Sequence, residues 1–367
     1  MFNKFTLSDF YLRHQSTLKR LEVVRGHLES RIFNGETAIN AIFLAALTDV
    51  PCLLFGPPGV AKSKLIRNFC EITGVSNSDS AKDRKYFEYL LSPFTEPTEL
   101  FGSFRLQKVD SGEQQLVRVE TGMLHKCEVA FLDEVFNGSS AILNSLLALI
   151  NEGKFHDRGE IKNSNLKLIF GATNDLPKSD DLRAVFDRFV VRAYMDNTEP
   201  DSVEYRKYFD RAFSAQRSFT TKECDYKLLG DIQAMREDYL ELERATDRKK
   251  SLFDLESEEG RKFLGNLSYI VENCRGGQGR ASALGTFSNR RVFQMLRALT
   301  MQRLMRAARE GGITGASGIK QVGATLSMDD YRIIWTHFLD IDKPASNDVV
   351  SKMLDMPNVP MTSGAKT

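Results

Sequence analysis

The sequence predicts an α/β fold in which helices cover both faces of a mainly parallel sheet, followed by a second domain that is all helical. From about residue 50, short apolar runs alternate with longer amphipathic ones, a pattern typical of strands that alternate with helices. Beyond about Pro200 the strand signal stops and helical periodicity takes over. A chain of 367 residues is long enough for two or three domains, each with its own core.

The chain begins with a helical region. Residues 10–48 are predicted to be helical because Leu18, Leu21, Val24 and Leu28 recur at helical spacing. Strands are then predicted in five short apolar runs, at residues 51–55, 86–91, 128–132, 166–172 and 189–194. Parallel strands joined by helices need cover on both faces, so the sheet is expected to form a three-layer αβα core.

Two hairpins are predicted as inserts between the sheet elements. They lie near residues 104–119 and 154–165, and each has a turn that contains glycine. The predicted domains are residues 1–198, which hold the N-terminal helices and the αβα core, and residues 199–342, which are helical. Residues 343–367 contain three prolines and few bulky apolar residues, and are predicted to be a loop-like tail.

Composition limits the classes of function. Lys and Arg number 50 and Asp and Glu 49, so the net charge is +1 and any polyanion site must be local. The five cysteines form no C-x-x-C pair and have no histidine spacing that suggests a zinc site, which favours free thiols over zinc ligands. The N-terminus lacks the apolar run of a signal peptide, and the most apolar window, residues 37–48, is too short to span a bilayer. A soluble, cytoplasmic protein is expected.

The strongest motif follows the first predicted strand and precedes a helix. A loop that binds phosphates needs glycines where the backbone curls, a Lys to neutralise phosphate oxygens, and a Ser or Thr to ligate Mg²⁺. The predicted contacts with the nucleotide are Gly56, Pro57, Pro58, Gly59, Val60, Ala61, Lys62, Ser63 and Lys64. The generic pattern has Gly where this chain has Ala61. We expect helical backbone angles there, which would tolerate the methyl group.

Polar residues end two later strands of the predicted sheet. Asp133 and Glu134 follow an apolar strand, at the end where open α/β sheets place their ligands. Asp133 would then support Mg²⁺, and Glu134 would orient and deprotonate a water molecule. By itself such a pair more often begins a helix, but the phosphate loop upstream favours the catalytic interpretation. Asn174 follows the next strand and could bind the attacking water and the γ-phosphate, although Asn-Asp is also an ordinary turn signal.

The order of these motifs resembles that of AAA+ ATPases. Their residues resemble those of the MoxR group, in particular its RavA-like members. The resemblance covers about residues 35–300. It rests on the phosphate loop at 56–63 and on four further segments, which are 131–135 (PheLeuAspGluVal), 141–147 (AlaIleLeuAsnSerLeuLeu), 150–152 (IleAsnGlu) and 172–177 (AlaThrAsnAspLeuPro). It implies the AAA+ fold with a helical lid, use of ATP and Mg²⁺, and assembly into a ring, with a homohexamer expected.

The resemblance also assigns roles to arginines. Arg188 matches the arginine finger that reaches the nucleotide of a neighbouring subunit, although from the sequence alone it could equally be a surface ion-pair partner. Arg290 matches the sensor arginine of the lid, with Arg291 as the close alternative. The two hairpins would face a central pore. There Arg105, Lys108 and Arg118 are candidate contacts, although solvated strand faces are the simpler interpretation.

The predicted function is ATP hydrolysis by a ring that remodels or activates a protein partner. The family resemblance suggests that this partner carries a von Willebrand factor A domain. The alternative is a motor or restriction-type NTPase stimulated by nucleic acid, against which the near-neutral charge counts. A scaffold with an inactive nucleotide site is a third hypothesis, which the full set of catalytic residue types makes the weakest.

Overall fold

The structure is a computed structural model that describes most of the chain. The described residues are 6–75, 83–108, 114–157, 160–177, 180–197, 206, 209, 218–245, 252–275, 287–310, 325–339, 347–359 and 361. They divide into two compact units, which we call the sheet unit (residues 28–38 and 50–226) and the helical unit (residues 1–27, 39–49 and 227–367).

A five-stranded parallel sheet forms the centre of the sheet unit, and it contains all five predicted strands. The strands of this sheet are β1 Cys52–Phe55, β2 Tyr86–Leu90, β5 Val129–Asp133, β8 Leu168–Thr173 and β9 Val191–Tyr194. They lie side by side in the order β2-β5-β8-β1-β9. The predicted α/β class and the parallel sheet are therefore confirmed.

Burial explains why these short runs become central strands. All four residues of β1 are buried, as are the first four of β5, so these strands are apolar on both faces. The register pairs Phe55 of β1 with Thr173 of β8, and Leu90 of β2 with Asp133 of β5. Because the strands are parallel, their carboxyl ends meet at one edge of the sheet, where ligands bind in open α/β folds.

Helices and two hairpins complete the sheet unit. The α-helices in the described part of this unit are α3 Lys62–Ile72, α4 Pro97–Phe101, α5 Ser140–Glu152 and α6 Asp180–Arg188. The first hairpin pairs β3 Phe104–Lys108 with β4 Gln114–Arg118, and the second pairs β6 Lys154–Asp157 with β7 Glu160–Asn163. Their paired strands form as predicted, while their turns at 109–113 and 158–159 lie outside the described residues.

The helical unit gathers both ends of the chain. Its described α-helices include most of α1 Leu7–Glu29 and of α2 Glu36–Thr48. The others are α7 Leu228–Ala245, α8 Glu258–Arg275, α9 Asn289–Arg309, α10 Met328–Ile333 and α11 Asn347–Leu354. This division differs from the predicted boundary at residue 198, which placed α1 with the sheet. Ion pairs join α1 to α7, from Arg13 to Asp238 at 2.9 Å and from Arg20 to Asp231 at 2.5 Å.

The segment after residue 343, predicted to be loop-like, contains a helix, and the prediction of a loop is wrong at α11. Three of its apolar side chains, Met353, Met356 and Val359, are buried, whereas Leu354 is half exposed. The segment is also held by hydrogen bonds, because the Tyr331 hydroxyl donates to the Pro357 carbonyl at 2.8 Å. Among the described helices, none is both long and apolar enough to cross a lipid bilayer.

Candidate nucleotide site

The candidate site lies at the carboxyl ends of three adjacent strands. β1 leads into the phosphate loop, β5 ends at Asp133, and β8 ends at Thr173 next to Asn174. Because β8 lies between β5 and β1, these three chain segments converge at one edge of the sheet. The structure thus brings together side chains that are up to 112 residues apart in the sequence.

Two glycines allow the phosphate loop its shape. Gly56 has φ +145°, and a Cβ atom there would lie 1.9 Å from the carbonyl oxygen of Met195. Gly59 has φ +89° and open space where a side chain would project. Only glycine adopts such angles readily, so glycine is required at both positions by the backbone conformation and not by packing in the core. The space at Gly59 leaves the loop accessible to a ligand's phosphates.

Ala61 does not have the helical backbone that the sequence predicts. Its angles are φ 67° and ψ 26°, which is the left-handed region, and it precedes the first residue of α3. A residue with a Cβ atom pays about 1–2 kcal/mol for this conformation. The generic glycine at this position therefore relieves backbone strain, and this chain carries that strain at the entrance to α3.

Lys62 is held at the centre of the loop. Its Nζ atom donates to the Gly56 carbonyl at 2.6 Å, to the Pro57 carbonyl at 3.0 Å and to Oδ1 of Asn174 at 2.8 Å. Burial lowers the pKa of Lys62, and the nearby carboxylates of Glu134 and Asp133 oppose that shift. The ammonium group is thus oriented by three oxygens, and this geometry suits a lysine that neutralises phosphate.

Ser63 and Asp133 form the oxygen pair expected at a magnesium site. The Ser63 hydroxyl donates to Oδ2 of Asp133 at 3.0 Å, and the other carboxylate oxygen accepts from the backbone N–H of Glu134 at 3.1 Å. A hydroxyl oxygen and a carboxylate oxygen are hard ligands of the kind Mg²⁺ prefers, together with phosphate oxygens and water. The donor set therefore fits a magnesium ion bound with a nucleotide.

Glu134 and Asn174 are linked directly. The Asn174 amide nitrogen donates to Oε1 of Glu134, while its amide oxygen accepts from Lys62. Burial raises the pKa of Glu134, a hydrogen bond with the Asn174 backbone opposes that increase, and the negative charge of Asp133 adds to it. A carboxylate with a raised pKa, close to the phosphate loop, suits a general base that accepts a proton from water. Glu134 itself has φ 48°, a strained angle of the kind found at functional sites.

The predicted arginines fall in different places. Arg188 is the last residue of α6, is partly exposed and lies 3.5 Å from the Asp187 carboxylate. Arg290 belongs to the helical unit, where it is exposed in the first turn of α9, whereas the next residue, Arg291, is buried. Exposure favours Arg290 over Arg291 as a residue that could meet a ligand.

On the first hairpin, one of the three candidate pore contacts is already engaged. Arg118 donates to Asp157 of the second hairpin at 3.1 Å and to the Gly102 carbonyl at 2.7 Å, and its side chain is mostly buried. The expectation that Arg118 contacts a substrate is therefore replaced by a structural role, while Arg105 and Lys108 are exposed. The pair Lys162–Glu120, at 2.6 Å, also joins the hairpins.

Sequence reasoning missed Arg192, a residue of β9 whose side chain reaches the end of α6. It is 2% exposed and donates to backbone carbonyls on both sides of Arg188. A signal was present in the sequence, because Arg192 interrupts an apolar run that is predicted to be a strand. A charged residue in such a strand needs polar partners, so its presence indicates a specific arrangement.

The fold and the site together define a class of protein. A parallel sheet with this strand order, with a phosphate loop after β1, an acidic end to β5 and an Asn after β8, is the α/β P-loop NTPase fold of the AAA+ type, with a C-terminal helical region. A candidate ATPase from Cytophaga hutchinsonii has a similar structure, with a TM-score of 0.56 over 96% of this chain and 97% of that chain. The two sequences are 13% identical, so the likeness concerns the fold.

The chain belongs to the MoxR-type AAA+ family. The family described as the MoxR domain in the MoxR-vWA-beta-propeller ternary systems matches residues 19–233, which is more than half of the chain. Two uncharacterised proteins of Methanocaldococcus jannaschii, MJ0079 and MJ0812, are each 37% identical over 48% and 47% of this chain. Structural protein ORF618 of Acidianus two-tailed virus is 33% identical over 46% of it. The chain covers 43% of each archaeal protein and 26% of the viral one, so it spans less than half of these relatives.

Proposed function

We propose that this protein hydrolyses ATP at the site formed by Lys62, Ser63, Asp133, Glu134 and Asn174. The observation that carries the proposal is the continuous chain of hydrogen bonds from the phosphate-loop lysine through Asn174 to Glu134. It joins the group suited to bind phosphate to the group suited to activate water. The MoxR family membership supports the same conclusion.

Each residue has a defined task in this proposal. Lys62 and the N–H groups at the start of α3 bind the phosphates, because a helix N-terminus favours anions. Ser63 and Asp133 hold Mg²⁺, which when bound neutralises charge on the phosphate oxygens. Glu134 accepts the proton of the attacking water, since its raised pKa makes it a stronger base than an ordinary glutamate. Asn174 orients Glu134 and senses the γ-phosphate.

Arg188 completes the site of a neighbouring subunit in a ring, which we propose to be a hexamer. Arginine fingers can contribute 10³–10⁵ in rate, so a single subunit would hydrolyse ATP slowly. The specific ATPase rate should therefore rise with protein concentration, and Arg188→Ala should remove the rise. Arg290 would act as the sensor arginine of the helical unit. A specific rate that stays flat over the assembly range would contradict the shared site.

The proposed role of hydrolysis is to remodel or activate a protein partner, as in the RavA-like group. The matching family is described in systems with a von Willebrand factor A protein and a β-propeller protein, which makes a von Willebrand factor A domain the proposed partner. The competing proposal is a motor stimulated by nucleic acid. ATPase rates measured with a purified von Willebrand factor A domain and with duplex DNA, each over a salt series, distinguish the two.

The decisive experiment on the site is Glu134→Gln. We expect the variant to bind a fluorescent ATP analogue with near-normal affinity and to lose on the order of 10²–10⁴ of the turnover rate, which is the usual contribution of a general base. Glu152→Gln is the matched control, because Glu152 is an exposed residue at the end of α5. Normal turnover by Glu134→Gln, or no ATP hydrolysis by the unaltered protein, would contradict the proposed function.

A further inference from the structure

Arg192 stabilises the segment that carries Arg188. A helix leaves its last four carbonyl groups without intrahelical partners, and Arg188 is the final residue of α6. Arg192 lies on strand β9 at the edge of the sheet, where it pairs with Leu53 of β1. Its Nε atom donates to the Phe189 carbonyl and its NH2 atom to the Phe186 carbonyl, each at 2.9 Å. One guanidinium group thus fixes the backbone two residues before Arg188 and one residue after it.

The ring of Phe186 reinforces this arrangement. The guanidinium carbon of Arg192 lies 3.5 Å from the centre of that ring, a close cation–π contact. Arg192 is 2% exposed, so its two hydrogen bonds are shielded from water and its side chain is held in one orientation. Lysine cannot reproduce this contact, because a single ammonium lacks the planar fork that reaches two carbonyls.

A second anchor acts on the residue after Arg188. Phe189 is fully buried, and its ring lies against Gly171 of β8, where an added Cβ atom would approach within 2.8 Å. The ring of Phe136, which follows the β5 acids by two residues, lies 6.0 Å from Phe186 and 6.3 Å from Phe189 between centroids. The end of α6 is therefore packed against the strands that carry Asp133 and Asn174.

We propose that Arg192 is a positioning residue that orients Arg188 toward the nucleotide of the neighbouring subunit. This inference rests on the proposed function. Arg192 is too buried to contact a nucleotide itself, so it acts through the backbone of residues 186–189. An arginine finger must be positioned at the transferred phosphate with an accuracy of a fraction of an ångström. A preorganised helix end avoids the entropy cost of ordering the arginine during each turnover.

Arg192→Met tests the proposal, because it retains an apolar stem and removes both hydrogen bonds. The expected loss in kcat is on the order of 10²-fold, the cost of a displacement of about 1 Å in a positioned group. ATP binding within the same subunit should stay within about twofold. The double variant Arg188→Ala with Arg192→Met should be no slower than Arg188→Ala alone, because both changes remove the same function.

Mixed assemblies separate positioning from a general structural defect. Lys62→Ala subunits cannot hydrolyse ATP but present an intact finger, so adding them to Arg192→Met subunits should restore hydrolysis in the Arg192→Met sites. The matched control adds subunits that carry both Lys62→Ala and Arg188→Ala, which should restore nothing. The turnover rate of Arg192→Lys should fall between those of the unaltered protein and Arg192→Met. If Arg192→Met does not fold, Arg192→Lys replaces it in the mixing experiment.

The outcomes distinguish the two proposals. If the unaltered protein hydrolyses ATP and Arg188→Ala does not, but the Arg192 variants hydrolyse at the normal rate, the positioning role is wrong and the proposed function stands. Equal rates with both kinds of added subunit would also overturn the positioning role. If the unaltered protein does not hydrolyse ATP, the proposed function itself fails.

Discussion

The amide of Asn174 lies between Lys62 and Glu134, accepting a hydrogen bond from the lysine at 2.8 Å and donating one to the carboxylate. Lys62 begins α3 and Glu134 follows β5, so the Asn174 side chain joins the two halves of the candidate site. Asn174 is therefore placed to respond to a ligand that binds Lys62 and to pass that response to Glu134.

Asn174→Ala should lower turnover on the order of 10-fold to 10²-fold with a smaller effect on ATP binding, because it leaves Glu134 without its orienting partner. The Asn174 amide nitrogen donates to the Glu134 carboxylate, which favours the charged form, so the variant should also shift the acidic limb of the pH–rate profile upward. Steady-state rates over pH measure both effects. Asn144→Ala, on the exposed face of α5, is the control. An unshifted limb would contradict the coupling.

A separate prediction concerns the unaltered protein, namely the pH at which its ATPase activity falls on acidification. A general base works only when deprotonated, and burial together with Asp133 raises the pKa of Glu134. Loss of activity on acidification should therefore begin at a higher pH than for an ordinary glutamate, whose pKa is about 4.3. Measurement of kcat/KM from neutral pH downward tests this. A profile that stays flat to pH ~4 would exclude Glu134 as the base.

Ala61→Gly should stabilise the protein by about 1 kcal/mol. The substitution removes the strain of φ 67° at that position, and this gain is partly offset by the greater freedom of glycine in the unfolded chain. Denaturant unfolding measures the change. Ala141→Gly, at an exposed helical position in α5, should have the opposite sign. If both variants are destabilised, the left-handed backbone at Ala61 is not relevant to stability.

The ion pairs between the hairpins should contribute stability that depends on pH. Burial tends to raise the pKa of Glu120, but its hydrogen bonds with Lys162 and Lys126 outweigh burial and lower it to about 2. A carboxylate with a lowered pKa contributes stability that is present above its unfolded pKa, about 4.3, and is lost as the pH falls toward 2.

Glu120→Gln should therefore cost about 1 kcal/mol at pH 7 and about half as much at pH ~3. Urea unfolding at both pH values measures this difference. Glu160→Gln, an exposed residue on β7 of the same hairpin, should change stability little at either pH. A loss that is the same at both pH values would show that the Glu120 charge is not responsible.

Much of the sheet could be predicted because its strands are short apolar runs that alternate with longer amphipathic segments, and local pattern specifies such elements. The motif residues could be predicted because phosphate binding demands glycine, Lys and Ser at fixed local spacing. Ala61 could not be predicted correctly, since its backbone angle depends on how the loop meets α3. The helix at 347–354 was missed because the segment has few apolar residues, and the burial of Met353 within the helix and of Met356 after it depends on tertiary packing.

By itself, the sequence determined the α/β class, the alternation of strands and helices that implies a parallel sheet, and the residue types of the phosphate loop and of the acidic strand end. These follow from interactions within about ten residues, which periodicity and spacing record. Only the tertiary structure decided that Asn174 bridges Lys62 to Glu134, that Arg118 is occupied by Asp157, and that Arg192 holds the end of α6. Each of these depends on which strands become neighbours, and that choice is made by burial of the whole core.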